Sequence, residues 1–446
     1  MASAMGLAER GRLLDTLRSG RWVTPVRIRT YSIALVGGYS AAIIALGLTA
    51  HGALDYAGRP LGADFADVWA AGRLALAGRA AAAYDPAVHY AAQQAAFHRL
   101  DVPDYSWAYP PQFLWVAAAL ASLPYLVALA VWQAATAPLY LATVRAILPR
   151  REALLPAIAF PGAFMTLIHG QNAFLTVALL AGGLLVLERR PILAGVLFGL
   201  LAYKPQFGLI LPLVLACAGR WKTFAAAAAT VLATAAACTL IFGVEIWRAF
   251  LDNLSFARTV FLEDGSTGFH KLQSAFAAVR LWSGSIALAY AVQGAVAVAV
   301  AGATVLLWRS AADMRLKSAG LVTACLLATP YSMDYDLALL GPALAWVTAV
   351  ALERGFRPYE ASFLALVYVA PICTRNLAHA TLIPLGFMAT AGLLGLVLQR
   401  AVAERGGCPP SVRARDQDLF HPRFSSENAR TDSVRLEKRR VADGQL

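Results

Sequence analysis

The feature that most constrains the fold of this chain is a succession of apolar runs between about residue 31 and residue 400. A helix needs about 20 apolar residues to cross a bilayer, and the runs at 31–54, 125–148, 221–243, 284–308 and 378–399 reach that length. The shorter runs lie at 111–122, 153–168, 172–187, 191–203, 205–218, 317–330, 335–352 and 358–373. Backbone polar groups inside lipid must pair within their own segment, which favours helices. We therefore predict an all-α polytopic membrane protein with about 11–13 transmembrane helices.

The amino-acid composition excludes the main soluble classes of protein. Of the 446 residues, 59% are hydrophobic and 14% are charged, whereas soluble domains carry roughly 25% charged residues. The chain is therefore no soluble enzyme, secreted disulfide scaffold or disordered adaptor. Its formal net charge of +12 comes from basic residues at the ends of apolar runs and in both tails. This pattern is typical of cytoplasmic segments that face anionic lipid, so the expected partners are membrane lipids and not nucleic acid.

Charge and polarity divide the chain into three parts. Residues 1–30 form a basic arm, residues 31–400 a membrane domain, and residues 401–446 a polar tail that we expect to be disordered. If the arm and the tail are cytoplasmic, the long polar interruptions at 55–108 and 243–284 are two extracytoplasmic loops.

Shorter segments add detail to this topology. Several apolar runs are shorter than a full crossing, which predicts broken or tilted helices that line a protein cavity. Basic residues at the end of the segment 109–148 require an odd number of membrane crossings within it, although the sequence shows two apolar runs there. A half-helix in one of the two runs would resolve this conflict. The amphipathic stretches Asp64–Leu74 and Ala87–Leu100 predict interfacial helices in the first loop.

The positive-inside rule places five polar segments together on the outer face. They are His169–Asn172, Lys204–Pro205, Gly243–Gly284, Pro330–Asp336 and Thr374–His379. An ionisable residue close to the hydrocarbon is costly, so each one is a functional-site hypothesis. Lys204 is the sharpest case because it interrupts an apolar stretch. It either snorkels at a hairpin tip or pairs with a phosphate.

Asp64 also allows two roles. Its place at the start of an amphipathic segment is typical of a helix N-cap, and capping does not exclude catalysis. Asp67 lies one helical turn away, where it would face the same cavity or support Asp64. Asp85 is interpreted as a structural cap of the next helix, and Tyr109-Pro110-Pro111 as the entry to the next membrane segment.

Other polar and aromatic residues have simpler interpretations. His169–Asn172 either satisfies backbone groups at a turn or binds sugar hydroxyls, which need planar donor–acceptor groups. His270 and Lys271 are interpreted as solvated. The aromatic side chains of the first loop are interpreted as interfacial anchors rather than sugar platforms; they are Phe65, Trp69 and Trp107.

A set of short motifs follows one order along the chain: Asp64-Phe65, Trp69-Ala70-Ala71-Gly72-Arg73, Tyr84-Asp85-Pro86, Tyr109-Pro110-Pro111, Leu123-Pro124, Trp132, Gly170-Gln171-Asn172, Ala194-Gly195, Gly199, Lys204-Pro205-Gln206 and Thr329-Pro330-Tyr331-Ser332. This ordered set resembles glycosyltransferase family 87, of the GT-C superfamily of membrane glycosyltransferases, over roughly residues 30–400. The resemblance implies a GT-C fold and an activity similar to that of polyprenyl-phosphate-mannose-dependent α-mannosyltransferases. It places Asp64 at the catalytic carboxylate, Lys204 in a Lys-Pro motif and Gln171 in a Gly-Gln motif. Tyr335-Asp336 stands where some members carry a histidine pair.

The residues suit the chemistry that this resemblance implies. A lipid-phosphate sugar carries its own leaving group, so the enzyme needs no nucleotide site, and the sequence has no Gly-rich phosphate loop. Asp64 would be the base for the acceptor hydroxyl. Lys204, with Arg73 or Arg375, would stabilise the departing phosphate. Displacement by the hydroxyl inverts the anomeric carbon with a single base, and we expect no metal and no cofactor.

The predicted function is transfer of a hexose, with mannose as the expected sugar, to a glycolipid or glycan on the extracytoplasmic face of a bacterial plasma membrane. Asp64 is the catalytic residue, and the predicted substrate-binding residues are Asp67, Arg73, Tyr109, Gln171, Asn172, Lys204, Gln206, Tyr335 and Asp336. The alternative is a transporter or flippase of lipid-linked glycans, but internal repeats typical of many transporters are not evident in the sequence. A non-catalytic assembly factor would leave the co-location of Asp64, Gln171 and Lys204 without a purpose.

Overall fold

A computed structural model describes residues 7–405 as a set of nineteen α-helices, with no β-strand in that range. The helices in chain order are α1 (Leu7–Ser19), α2 (Pro25–Leu48), α3 (Phe65–Leu76), α4 (Pro86–Phe97), α5 (Leu114–Ala121), α6 (Tyr125–Ile147), α7 (Leu154–Ala159), α8 (Pro161–Ile168), α9 (Ala173–Val186), α10 (Pro191–Leu200), α11 (Leu211–Cys217), α12 (Trp221–Phe242), α13 (Glu245–Arg258), α14 (Ala275–Leu281), α15 (Ile286–Arg309), α16 (Met314–Ala328), α17 (Leu340–Arg354), α18 (Glu360–Thr381) and α19 (Leu385–Arg405). The predicted all-α class is confirmed. The predicted disordered tail begins at residue 401, but residues 401–405 are the last turn of α19. The rest of the predicted tail, from 406 onward, lies outside the described range.

Seven helical segments in the described range are long and apolar enough to cross a bilayer, which confirms a polytopic membrane protein. They are α2, α6, α12, α15, α17 with its preceding turn from Asp334, α18 and α19. The pair α7–α8 bends by 51° at Phe160–Pro161 and makes an eighth if it is one broken span. Four shorter apolar helices lie at Pro111–Ala121, Ala173–Val186, Pro191–Tyr203 and Pro205–Cys217. A count of 11–13 requires such shorter helices to cross as well, and it stays a prediction.

The short helices occur where the sequence predicted interrupted spans. The segment Pro111–Ala121 is too short to cross the hydrocarbon alone at 1.5 Å per residue. It therefore has the length of the half-helix expected between 109 and 148. Pro161, at the first position of α8, fixes the chain direction after the bend.

The N-terminal end of the described chain differs from the prediction of a basic arm up to residue 30. The first long helix begins at Pro25, where the side chain of Thr24 accepts a hydrogen bond from the Arg27 amide. The preceding helix α1 packs against the start of α18. There the amide of Tyr359 donates to the carbonyl of Arg18 at 2.8 Å. Residues Leu7–Ser19 are thus helical and attached to the membrane domain.

The burial of the helices separates the centre of the bundle from its periphery. In the apolar window of α17, 83% of the residues are buried, compared with 6% in α2 and in α12. Helix α12 attaches to the bundle through α10, whose Gly195 and Gly199 face it. A Cβ at either glycine would lie 2.5 Å from a side-chain Cβ of α12, on Ala226 or Thr230. Small residues four apart allow such close approach of membrane helices.

Both long polar loops fold onto the same end of the bundle. In the first loop, Trp69 Nε1 donates to the Leu123 carbonyl at 3.0 Å. In the second loop, Asn253 Nδ2 donates to the Trp107 carbonyl at 2.9 Å, which joins the two loops. The second loop also pairs with the segment before α17 through a bridge between Leu272 and Met333.

The helices predicted in the first loop are present as α3 and α4, but two of the three aromatic residues differ from the prediction. Phe65 is 0% exposed and Trp107 is 2% exposed, so they are core residues of the loop rather than interfacial anchors. The predicted cap is confirmed, because Asp85 Oδ1 accepts from the amides of Ala87 at 3.0 Å and Val88 at 3.2 Å.

The opposite end of the bundle is held by ion pairs. Arg354 contacts Asp313 and Glu404, which ties α17 to the start of α16 and to the end of α19. Glu360 and Arg400 form a fully buried pair between α18 and α19. Three of the basic segments that were predicted on the cytoplasmic side, around Arg315, Arg354 and Arg400, therefore lie together at this end.

Candidate active site

Asp64 occupies the N-cap position of α3, but its side chain makes no capping bond. Its Oδ2 atom instead accepts a hydrogen bond from Gln171 Nε2 at 2.9 Å. The carboxylate is half-buried. The helix start is therefore not the reason for an aspartate here, and the side chain is held by a residue 107 positions away.

Gln171 is the centre of a small network. Its Oε1 atom accepts from the Tyr109 hydroxyl at 3.3 Å and from the backbone amide of Asn172 at 3.2 Å. Because the amide oxygen is fixed by these donors, the Nε2 group must point at Asp64. Tyr109 is in turn held through its carbonyl, which accepts from the Tyr84 hydroxyl at 2.8 Å.

Gly170 brings the Gln171 turn against the first loop. Its φ of +65° is a conformation that L side chains rarely adopt. A Cβ on Gly170 would lie 2.7 Å from the Cβ of Phe65 and 2.9 Å from the carbonyl oxygen of Gly62. The turn can therefore approach Asp64 only with glycine at this position.

Substitution Gly170→Ala is expected to lower the free energy of unfolding by about 1–3 kcal/mol, the usual range for a strained backbone position. It should also lower activity, because the Gln171 turn must move away from Asp64. Thermal unfolding and transfer rate of the purified variant measure both effects. Gly182→Ala is the control, since nothing lies within 4 Å of its Cβ position in α9. Equal behaviour of the two variants would contradict this role of Gly170.

Asp67 lies on the same side of α3 as Asp64 and is buried. Burial raises the pKa of the Asp67 carboxyl well above its usual range, the negative charge of Asp64 raises it further, and Lys204 opposes this effect. The Asp67 carboxyl therefore binds a proton more readily than an ordinary aspartate. Within the described range its Oδ1 atom is buried without a hydrogen-bond partner.

Lys204 is buried and forms an ion pair. Its Nζ atom donates to Asp336 Oδ1 at 2.8 Å, and the two side chains are only 4% and 1% exposed. The Nζ atom also lies 5.4 Å from the ring centroid of Tyr335 and 5.6 Å from that of Phe207. Asp336 Oδ2 accepts from the Met333 amide at 3.0 Å. The snorkelling interpretation of Lys204 is wrong, because the side chain points into the protein.

These residues form one polar cluster, which comprises Asp64, Asp67, Tyr109, Gln171, Asn172, Lys204, Tyr335 and Asp336. The carboxylates on both sides of the cluster, Asp64 and Asp67 on one side and Asp336 on the other, act on the Tyr109 hydroxyl. Burial raises the pKa of the Tyr109 hydroxyl well above its usual range, and the charges of Asp67, Asp336 and Asp64 raise it further. The structure thus brings together most of the predicted site residues.

Two predicted residues lie outside this hydrogen-bonded network. Arg73 is exposed, with its guanidinium carbon 5.6 Å from the ring centroid of Trp69. It is nine residues from Asp64, which at 100° per residue turns it to the opposite side of α3. Gln206 is half-buried in the turn Pro205–Phe207 that follows Lys204.

A second ion pair lies at this end of the bundle, and the sequence did not predict that its two residues meet. Arg375 Nε, from α18, contacts Asp334 Oδ2 at 2.6 Å. The Asp334 side chain is 0% exposed. Gln273 of the second loop is also buried here, and its Oε1 atom accepts from the Thr374 hydroxyl at 2.7 Å. The local sequence offers no signal for this contact, because the partner of Gln273 is 101 positions away.

Several buried polar atoms of the cluster and of the neighbouring segment Ser332–Asp334 have no partner in the described range. They are Asp67 Oδ1, Asp334 Oδ1, Ser332 Oγ and both side-chain amide atoms of Asn172. Unpaired buried polar atoms are rare in proteins because each costs free energy. A ligand with several hydroxyl groups would satisfy them. Within the described range no group of three His, Cys, Asp or Glu residues could hold a metal ion.

A comparison with protein-family models assigns this chain to a family. The model of glycosyltransferase family 87 matches residues 107–330, half of the 446 residues. The chain belongs to glycosyltransferase family 87. Searches of curated proteins and of solved structures gave no significant match.

This family 87 protein is therefore a membrane glycosyltransferase, and the transporter and assembly-factor alternatives give way to an enzyme. The matched region contains Tyr109, Gln171 and Lys204, whereas Asp64 and Asp336 lie before and after it. Hydrogen bonds from the matched region reach both carboxylates. The polar cluster thus joins the family region to its two flanking segments.

Proposed function

We propose that this protein transfers a hexose from a polyprenyl-phosphate donor to a hydroxyl of a glycolipid or glycan, with Asp64 as the general base. The observation that carries this proposal is the Asp64 carboxylate, held by Gln171 within a buried polar cluster at one end of a membrane helix bundle. Family membership supplies the reaction class. A lipid-linked donor suits a site that lies between apolar helices and has no loop for a nucleotide.

The proposed reaction is one inverting displacement. The Asp64 carboxylate takes the proton of the acceptor hydroxyl while the oxygen of that hydroxyl bonds to the anomeric carbon. The bond from that carbon to the phosphate oxygen breaks, and its electron pair leaves with the lipid phosphate. No protonated leaving group is needed, so the pair of carboxylic acids used by hydrolases is unnecessary. Protonated Asp67 and the Asn172 amide would hold sugar hydroxyls.

The orientation in the membrane is part of this proposal. Basic residues concentrate at the end of the bundle opposite to the polar cluster, in the segments around Arg315 and Arg354. Short loops rich in Lys and Arg face the cytoplasm. We therefore place the active site on the extracytoplasmic face of a bacterial plasma membrane, where a lipid phosphate is an available sugar carrier and nucleotide sugars are not.

The test is a donor panel with the purified protein in lipid nanodiscs. Polyprenyl-phosphate mannose, polyprenyl-phosphate glucose and the corresponding nucleotide sugars are offered with a membrane glycolipid extract, and products are identified by mass spectrometry. We expect transfer from a polyprenyl-phosphate hexose, with mannose preferred, and inversion at the anomeric carbon. Transfer from a nucleotide sugar in the absence of polyprenyl phosphate would contradict the proposed donor class.

A further inference from the structure

A second group of basic side chains lies at the active-site end of the bundle, outside the polar cluster. Lys271 comes from the second loop and Arg375 from α18. The ring centroids of His270 and His379, one from each of these segments, are 5.2 Å apart. Both segments were expected on the outer face, where Lys271 was interpreted as solvated. It is half-buried instead.

Gln273 connects the two segments. Its Nε2 group donates to the Lys271 carbonyl at 3.0 Å, while its Oε1 atom accepts from the hydroxyl of Thr374 at 2.7 Å. The backbone amide of Gln273 also donates to the backbone carbonyl of Ser332 at 2.7 Å. Gln273 and Thr374 are both buried. The backbone of Lys271 is therefore fixed beside the residue that precedes Arg375.

The local charges do not balance. Arg375 is paired with Asp334 through Nε, and no other hydrogen bond of its guanidinium occurs in the described range. Lys271 has no carboxylate within ion-pair distance there. Burial lowers the pKa of the Lys271 amine, and the positive charge of Arg375 lowers it further, while Asp334 and Asp64 oppose this. Lys271 and Arg375 are thus two neighbouring cations, of which only Arg375 is paired with a carboxylate, and the opposite charges of Asp64 and Arg59 also act on Lys271.

Lys204 cannot supply a free cation to a leaving phosphate in this arrangement. Its charge is neutralised by Asp336 at 2.8 Å, and both side chains are almost fully buried. A phosphate at Lys204 would have to displace Asp336 and leave that carboxylate buried without its partner, which is strongly unfavourable. The Arg375 side chain is 29% exposed and retains free donors.

We propose that Lys271 and Arg375 bind the phosphate of the lipid-linked sugar donor. This inference rests on the proposed function and names the residues of its phosphate subsite. The one excess positive charge matches the single charge of a sugar phosphodiester. When the bond from the anomeric carbon to the phosphate oxygen breaks, the phosphate gains a second negative charge. The two cations then stabilise the leaving group more strongly than the bound donor, which is the condition for catalysis.

The test measures binding of sugar-free polyprenyl phosphate to the purified full-length protein, so it needs no turnover. Lys271→Gln is expected to raise the Kd for polyprenyl phosphate about 10- to 100-fold, the loss of one hydrogen bond to a charged group. The Kd for neutral polyprenol should stay unchanged. Lys271→Arg should restore binding of the phosphate. Arg375→Lys, which retains a cation for Asp334, should weaken it by a smaller factor.

Lys222→Gln is the matched control, because Lys222 is exposed at the start of α12. It should bind polyprenyl phosphate as the wild type does. Wild-type affinity in Lys271→Gln, or an equal loss of polyprenol binding, would overturn the proposal. Displacement of polyprenyl phosphate by equal concentrations of phosphatidylglycerol or inorganic phosphate would also overturn it, because the pair would then be a general anion site.

Failure of this inference and failure of the proposed function give different results. Lys271-dependent binding of polyprenyl phosphate without hexose transfer from any donor would support the phosphate subsite and contradict the proposed reaction. Hexose transfer by a Lys271→Gln protein with wild-type KM for the donor would support the reaction and overturn the subsite.

Discussion

Replacement of Asp64 by asparagine is expected to lower kcat for hexose transfer by about 10²- to 10⁴-fold, the usual contribution of a general base. Asparagine has nearly the same shape and can still accept from Gln171 Nε2, so the polar cluster should keep its geometry. KM for the donor should change little, because the lost interaction concerns the acceptor proton. Initial rates with a polyprenyl-phosphate hexose, together with thermal unfolding of the same sample, measure both points.

Two aspartates serve as controls for this experiment. Asp252 lies at an exposed position of α13, and the Asp252→Asn variant should retain the wild-type kcat. Asp67→Asn should keep more activity than Asp64→Asn, since burial raises the pKa of the Asp67 carboxyl and an amide can replace the protonated carboxyl as a hydrogen-bond donor. If Asp67→Asn were the inactive variant and Asp64→Asn active, the roles of the two carboxyl groups would have to be exchanged.

Breaking the buried pair Lys204–Asp336 is expected to destabilise the protein by about 3–5 kcal/mol. Lys204→Met leaves Asp336 buried without its cation, and Asp336→Leu leaves Lys204 without its anion. The double variant should be more stable than either single variant, because no unpaired charge remains. Thermal and denaturant unfolding in detergent micelles give the three free-energy changes and the coupling between the two residues.

An exposed ion pair provides the comparison. Arg248 and Glu245 are one turn apart on α13, with side chains 71% and 65% exposed. Removal of Arg248 should change stability little, because exposed pairs are screened by water. Additive effects of Lys204→Met and Asp336→Leu would show that the two residues do not stabilise each other in solution.

The membrane helices were predictable from the sequence because lipid forces apolar runs into helices. The run predicted at 125–148 is the helix Tyr125–Ile147, and the run at 221–243 is Trp221–Phe242. The start of α2 was placed too late. Arg27 and Arg29 suggested an arm, whereas Thr24 and Pro25 supply the local signal for a helix start.

The residues of the polar cluster were predictable, but their partners were not. A polar side chain in an apolar stretch indicates a special role at that position and carries no information about its contact. Lys204 pairs with Asp336, 132 positions away, whereas the sequence predicted a phosphate as its partner. The local α-helical period placed Asp67 correctly beside Asp64. The same period would have excluded Arg73, which lies half a turn out of phase.

Lys271 was misinterpreted for a different reason. A lysine in a long polar loop is usually solvated, and nothing in the local sequence contradicts that. The loop returns to the bundle through long-range contacts, the bridge of Leu272 with Met333 and the hydrogen bonds of Gln273. Such contacts depend on the packing of the whole bundle.

The buried pair Glu360–Arg400 has a consequence for biogenesis. The two residues are 40 positions apart, and a buried charge without its partner is strongly unfavourable. At a synthesis rate of about 5–20 residues per second, the ribosome needs about 2–8 s to reach Arg400 after it has made Glu360. During that interval α18 carries an acidic side chain without its counter-ion. Insertion of α19 is therefore the step that completes the domain, and chains that terminate before Arg400 should be cleared by membrane quality-control proteases.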